Sequence, residues 1–330
     1  MKAKIRPRIN LKDRTRLETV IPLSTPYLVF LDPSDKCNFQ CRFCPTGNRK
    51  LIRSFRRPRF MNLTLYRKII DDLCDMPDKI KTLRLYADGE PTMNSHLPDM
   101  IKYAKQADQF LQIDFTTNAS LLDVNKNLQL IDAGLDKIFI SINGMNNNDY
   151  WQFCRTRLQF GRIVNAIRHF YKHRSNCKVH IKLSGDHLSE KKKSLFFETF
   201  GNIADYVSIE HTANCWPGFE VEGVNKELGI YGQVLQQVNI CAYCFYSLKI
   251  NSDGTVSICF LDYKHHMIIG DLNVESFKNI WNGERLRTFQ IDMLNGRSKI
   301  PFCADCGQLR YGFADNIDKF ASNIRRRLVG

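Results

Sequence analysis

The stretch Cys37-Asn38-Phe39-Gln40-Cys41-Arg42-Phe43-Cys44-Pro45 follows closely on an apolar run at residues 27–31. Three cysteines spaced C-x3-C-x2-C can hold three corners of a four-iron cluster as thiolates. The fourth iron then lacks a protein ligand and stays open to substrate or cofactor atoms, so chemistry would start at this loop. The apolar run before it reads as a strand, which puts the cysteines just past a strand's C-terminal end.

Outward from that loop the same layout recurs. Short β-rich apolar runs at 27–31, 82–87, 111–116, 137–142, 179–183 and 206–210 alternate with longer segments. Two of these segments, 63–73 and 97–107, carry apolar residues at helical spacing. Six strands separated by crossover helices predict an α/β fold around a parallel sheet, with functional residues at the strands' C-terminal ends. The pattern fades near Gly218 to Gly229, where a smaller cysteine-rich domain begins.

Bulk properties narrow the class. A chain of 330 residues is long enough for one large domain and a smaller one. No apolar run approaches the roughly 18 residues of a membrane helix, and the basic N-terminus lacks a signal-peptide core. Twelve cysteines without an export signal point to metal binding in a reducing compartment, the cytoplasm, rather than to disulfides. Eight fall in two groups; Cys74, Cys154, Cys177 and Cys215 are scattered and read first as small buried hydrophobes. The net charge is +14, concentrated at 2–16, 49–59 and 325–327. The terminal runs are expected to be solvated. The run at 49–59 follows the cysteine loop and would suit a phosphate- or carboxylate-bearing substrate. RNA competes for this charge, yet no stacking motif accompanies it.

At Cys37, Cys41 and Cys44, with Phe43 before the third cysteine, the chain resembles the radical S-adenosylmethionine (SAM) enzymes. The resemblance implies a partial (β/α)6 TIM-like barrel, a catalytic [4Fe–4S] cluster bound by these cysteines, and SAM chelated at the open iron. It continues in Gly89-Glu90-Pro91, where carboxylate and backbone would meet SAM's ammonium group. Thr117, Asn118 and Ser141 match polar SAM-contacting positions, and Arg155 matches an arginine set against SAM's carboxylate. Asn143 stands where relatives carry an acid. A flavodoxin- or ferredoxin-type electron donor is a further implication.

The C-terminal part, from Cys241-Ala242-Tyr243-Cys244 through Asp253-Gly254-Thr255-Val256 and Cys259 to Cys303-Ala304-Asp305-Cys306, resembles the auxiliary-cluster extension called SPASM in its single-cluster form. Cys241, Cys259, Cys303 and Cys306 would then ligate a second [4Fe–4S] cluster. A zinc site is the alternative, since the pairs Cys241/Cys244 and Cys303/Cys306 also satisfy tetrahedral thiolate spacing. Cys244 departs from the family pattern: it could be a ligand, a packed thiol or a hydrogen-atom donor to a substrate radical, with Cys215 the rival donor. His211, after the sixth run, could touch substrate or serve structure, and His265-His266 is expected to face solvent.

The expected organisation is a basic extension (1–24), a radical SAM barrel (25–225), an auxiliary-cluster domain (226–312) and a basic tail (313–330). The expected reaction is hydrogen abstraction from a small polar substrate of carbohydrate or aminocyclitol type, phosphorylated or nucleotide-linked in view of the basic loop, giving oxidation or epimerisation. Compact relatives act on such molecules, and residues 1–24 are too short for a peptide-recognition domain. Modification of a ribosomally made peptide is the alternative. A different class, a non-catalytic iron–sulfur protein with a redox or nucleic-acid role, would call for a fully ligated first cluster.

Overall fold

Alternation along the six apolar runs decides how they pack. Val29, Leu31, Leu83, Phe115, Ile138, Ile140, Val179, Ile181 and Val207 are fully buried on one face, against helices that include Leu63–Cys74, Leu97–Gln106, Val124–Asp132 and Phe160–His173. The intervening residues, among them Phe30, Arg84, Asp114, Phe139 and His180, make a mixed aromatic and charged opposite face. Parallel sheets usually carry apolar residues on both faces; here the inner one carries polar and charged residues that line a lumen. The computed structural model describes residues 1–9, 12, 14–224 and 226–329.

The strands are β1 (Lys4–Ile5), β2 (Leu28–Leu31), β3 (Thr82–Arg84), β4 (Ile113–Thr117), β5 (Lys137–Ile142), β6 (Lys178–Ser184), β7 (Tyr206–Glu210), β8 (Ser247–Ile250), β9 (Thr255–Ser257) and β10 (Ile268–Asp271). They form one sheet in the order β1-β7-β6-β5-β4-β3-β2-β8-β9-β10. From β2 to β7 each strand pairs parallel with the next, as the crossover pattern predicts. The C-terminal domain continues this sheet: β8 pairs parallel with β2, and the hairpin β8–β9–β10 follows.

The N-terminal run is not a solvated tail. β1 adds to β7 in parallel register, and Ala3, Leu17 and Ile21 join the core. At the other end, helix Ala321–Val329 buries Ile324 and Leu328 while its arginines stay outside. Both basic termini are therefore tied down by a few apolar residues spaced between charges. No helix among the described residues is long and apolar enough to cross a membrane.

Candidate active site

The loop after β2 carries the three N-terminal cysteines, and neighbouring backbone holds it in shape. Cys44 precedes a short 3-10 turn, Pro45–Gly47, with proline at its first position. A Cβ on Gly47 would come within 2.3 Å of the Cys41 carbonyl oxygen, so only glycine lets the turn fold back on the cysteines. The amides of Gln40 and Arg42 donate to the carbonyls of Cys154 and Phe153, pinning the loop to the end of helix Asn147–Cys154. Asn38 donates to the Ser120 hydroxyl and accepts from the Asn118 amide, which ties the loop to the end of β4.

The three thiols lie close enough to disfavour one another's ionisation. Burial pushes Cys37 up, with Glu90, Cys41 and Cys44 adding to the rise. Cys41 rises through its contact with the Cys154 thiol and through burial. Burial and Cys41 lift Cys44 to about 11, although the amides of Thr46 and Gly47 and the Thr46 hydroxyl pull the other way. Three half-buried thiols that repel as thiolates are a donor set that a cationic iron–sulfur cluster stabilises.

Glu90 is the centre of the second element. Its carboxylate is 2% exposed and accepts from the Thr92 amide (3.1 Å) and hydroxyl (2.6 Å), the Thr117 hydroxyl (2.6 Å) and the Asn118 amide (2.7 Å). Burial raises its pKa and these donors oppose the rise. Among the described residues no cationic side chain is paired with it. The Glu90 amide donates to the Lys36 carbonyl, and a Cβ on Gly89 would sit 2.1 Å from the Ser34 carbonyl oxygen. The Gly89-Glu90-Pro91 turn is thus packed backbone to backbone on the segment leading into Cys37. A buried carboxylate beside the cysteine loop, hydrogen-bonded but without a counter-cation, fits an incoming ammonium group.

Two cavities flank the loop. The larger, about 700 Å³, is lined by Cys41, Phe43, Cys44, Arg155, Asp186 and His187 among others. The smaller, about 410 Å³, is lined by Cys37, Thr46, Arg49, Arg53 and Met93 among others. Arg155 caps helix Asn147–Cys154 with a left-handed backbone, φ 48°, a conformation that costs a non-glycine residue of order 1 kcal/mol. Ser141 is half-buried on β5 in register with Lys182, outside both of those cavities. His211 bonds Asp186, which lines the larger one.

Two expectations are corrected. His265 does not face solvent: its side chain is 11% exposed and its Nε2 lies 3.0 Å from Asp88 Oδ2, whereas His266 is exposed as expected. The basic run at 49–59 is also not wholly a substrate surface. Arg56 points inward, 6% exposed, to pair with Asp35 and reach Asp88 at 3.3 Å. The same Asp88 oxygen takes the ammonium of Lys249 at 2.7 Å, both side chains being fully buried. This network joins the end of β3, the basic run and β8, and Lys249 was invisible in the sequence as an isolated lysine within an apolar strand. Of the scattered cysteines, Cys154, Cys177 and Cys215 are buried as expected, whereas Cys74 is exposed.

In the C-terminal domain, Cys241, Cys259, Cys303 and Cys306 converge: burial raises all four, Cys241 and Cys303 to about 12, and each of Cys241, Cys259 and Cys303 feels Cys306. The Leu261 amide donates to the Cys259 sulfur. Cys244 is buried beside them, its thiol donating to the Cys241 carbonyl. Cys215 lies against Cys306, whose thiol approaches the Cys215 carbonyl at 3.8 Å. Among the described residues no three Cys, His, Asp or Glu side chains stand close enough to hold a single metal ion.

A curved parallel sheet with a three-cysteine loop at its C-terminal edge and a second cysteine group beyond it defines an iron–sulfur barrel protein. The chain belongs to the radical SAM superfamily: residues 31–191 match that family, and residues 241–307 match the SPASM iron–sulfur cluster-binding domain. The family's cofactors are a [4Fe–4S] cluster and SAM, with auxiliary iron–sulfur cluster binding in the SPASM domain. Over 128 residues, 38% of this chain, it is 28% identical to the 7,8-dihydro-6-hydroxymethylpterin dimethyltransferase of Methanocaldococcus jannaschii, and the match spans only 24% of that enzyme's length. Among solved structures it is similar to BtrN in complex with AdoMet and 2-DOIA (TM-score 0.54, 14% identity, 85% of this chain and 92% of that one). It is also similar to Streptococcus suis SuiB bound to its precursor peptide SuiA (TM-score 0.65, 14% identity, 90% and 73%). These likenesses carry the barrel and its C-terminal extension.

Proposed function

We propose that the chain is a radical SAM oxidoreductase or epimerase acting on a small polar, anionic substrate of carbohydrate or aminocyclitol type. The observation that carries the reading is the juxtaposition of three half-buried thiols that disfavour one another's ionisation with the buried Glu90 carboxylate, which has no counter-cation among the described residues. Cys37, Cys41 and Cys44 hold the catalytic cluster, and Cys241, Cys259, Cys303 and Cys306 the auxiliary one. Bound there, the cluster and SAM would supply radical chemistry, the abstraction of a hydrogen atom from substrate.

The chain's own residues bind, orient and shield. Glu90 receives the ammonium of SAM, held in place by Thr92, Thr117 and the Asn118 amide; Gly89 and Pro91 shape the turn, and Phe43 and Arg155 line the wall toward SAM's carboxylate. Ser141 lies on the next strand along. Cys244 and Cys215 are the thiols nearest the auxiliary ligands and are the candidate hydrogen donors for an epimerisation; without donation, an auxiliary cluster that accepted the substrate radical's electron, with loss of a proton, would make the outcome a two-electron oxidation. We place the protein in the cytoplasm with a flavodoxin- or ferredoxin-type donor.

BtrN was crystallised with 2-DOIA and SuiB with a peptide; modification of a peptide is the second reading. The test is anaerobic incubation of the iron- and sulfide-reconstituted protein with SAM and dithionite. 5'-Deoxyadenosine should form and should vanish in Cys41→Ala; its absence from iron-replete wild type would sink the reading.

A further inference from the structure

A third cavity, about 500 Å³, lies in the barrel lumen between the inner faces of β2–β5 and the segments that cover the open side. Its charged lining is lopsided: Arg8, Arg14, Lys81, Arg84 and Lys137 against the single carboxylate of Asp315. Three of these cations are already matched. Arg14 pairs with Asp315, Arg84 forks onto Asp114 at 2.8 and 2.9 Å, and Arg8 approaches Glu210 at 3.4 Å.

Lys81 and Lys137 are different. Lys81, exposed at the rim, donates to the Thr15 hydroxyl and rests on the Tyr27 ring. Lys137, half-buried at the start of β5, has its ammonium 4.4 Å from the Phe139 ring and 5.9 Å from that of Tyr206. Its nearest acid is Asp114, whose oxygens are taken by Arg84 and by the Gln112 amide at 2.7 Å. Among the described residues no carboxylate pairs with Lys137. Its ammonium is partly desolvated and makes no ion pair of its own; burial, opposed by Asp114 and reinforced by Arg6 and Arg84, brings its pKa down to about 8.

We propose that this cavity binds the phosphate end of an elongated phosphorylated substrate, with Lys137 as its anchor and Lys81 at the rim. Two unmatched cations balance the charge of about −1.5 to −2 on a phosphate monoester at neutral pH. Length follows from the strand. Lys137 opens β5 and Ser141 stands four residues on, so at about 3.3 Å per residue the anchor lies about 13 Å below the level of the catalytic strand ends. A free monosaccharide cannot span that distance; a sugar or cyclitol on a diphosphate or nucleotide handle can. The aromatic walls suit such a handle, since Phe30 and Phe260 stack at 4.8 Å and both line the cavity. Tyr243, Phe260 and Gln308, each within two residues of a C-terminal cysteine, line it too, so the bound molecule faces the auxiliary site along its length.

The inference rests on the reading of the chain as a radical SAM enzyme, and its test is read separately from SAM cleavage. Inorganic pyrophosphate and uridine diphosphate are titrated calorimetrically into anaerobic, reconstituted protein. Both should bind wild type; Lys137→Met should weaken both by about tenfold or more, Lys137→Arg should restore them, and Lys172→Met, a surface change of equal charge, should do nothing. SAM binding should be the same in wild type and Lys137→Met. Failure of both probes to bind wild type, or equal binding to Lys137→Met, overturns the proposal whatever the SAM assay gives. Loss of probe binding in Lys137→Met without any 5'-deoxyadenosine from wild type would retain the site and remove the radical reading.

Discussion

Replacing Lys249 by methionine tests the link between the two halves of the molecule. Its ammonium sits on Asp88 at 2.7 Å and on the Asp262 carbonyl at 3.1 Å, and neither Lys249 nor Asp88 is exposed at the side chain. Removing one member of a buried pair costs about 3–5 kcal/mol, mainly because the other charge is left uncompensated. Here Asp88 keeps His265 at 3.0 Å and Arg56 at 3.3 Å, which puts the expected loss near the lower end, about 3 kcal/mol. Asp32, whose carboxylate accepts the Asp88 amide and is already pushed up by burial and by Asp88, would lose Lys249 as well. In anaerobic urea denaturation followed by tryptophan fluorescence, a slope of about 3 kcal/mol/M turns that loss into a midpoint lower by about 1 M. Adding Asp88→Asn to Lys249→Met should cost much less than the sum of the two single changes, with a coupling of about 1.5 kcal/mol or more. Because Asp88 leads directly into Gly89 and Glu90, the single variant should also bind SAM more weakly. Additive losses, or an unchanged midpoint, would refute the idea that this ion network joins barrel and C-terminal domain.

Three other outcomes are expected. Gly89→Ala must displace backbone, since its Cβ would meet the carbonyl oxygens of Ser34 at 2.1 Å and Lys36 at 2.4 Å; SAM affinity by calorimetry should collapse while the helical circular dichroism persists. Glu90→Gln keeps the shape but places an amide among four donors and removes the charge that meets an ammonium, so SAM should bind about tenfold more weakly or worse. His180 is fully buried and held neutral: burial and the nearby Lys137 bring its pKa to about 3, below the ordinary value of about 6.5. As pH falls below 6.5 the unfolded chain takes up this proton first, so stability present above 6.5 is lost on acidification. Between pH 7 and 5 the loss should be about 2 kcal/mol, and His180→Phe should show correspondingly less dependence over that window.

Much of this arrangement is legible in the chain because strands buried on one face must repeat apolar residues. The runs at 137–142 and 206–210 coincide with β5 and β7. The run at 82–87 overshoots β3 because the Tyr86 amide turns back to the Arg84 carbonyl, ending the ladder while the composition is still strand-like. The cysteines and the Gly-Glu-Pro turn were readable because their chemistry depends on local spacing. What escaped depends on partners far away in sequence. β1 has two exposed residues and no apolar pattern, and exists because β7 offers it an edge. His265 and Lys249 look like surface residues until folding brings Asp88 to them across 177 and 161 positions. Lys137 likewise reads as an ordinary strand-start lysine, and only the closing of the lumen half-buries it.

Two clusters, one of them open to SAM, are what set this chain apart from a single-site iron–sulfur protein. The most direct test is to count iron and record electron paramagnetic resonance spectra of the dithionite-reduced, reconstituted protein with and without SAM, beside the triple variant Cys37→Ala/Cys41→Ala/Cys44→Ala. The variant should lose half of the iron, and SAM should alter the wild-type spectrum and leave the variant's unchanged. A variant that keeps all its iron, or whose remaining signal still responds to SAM, would contradict that assignment.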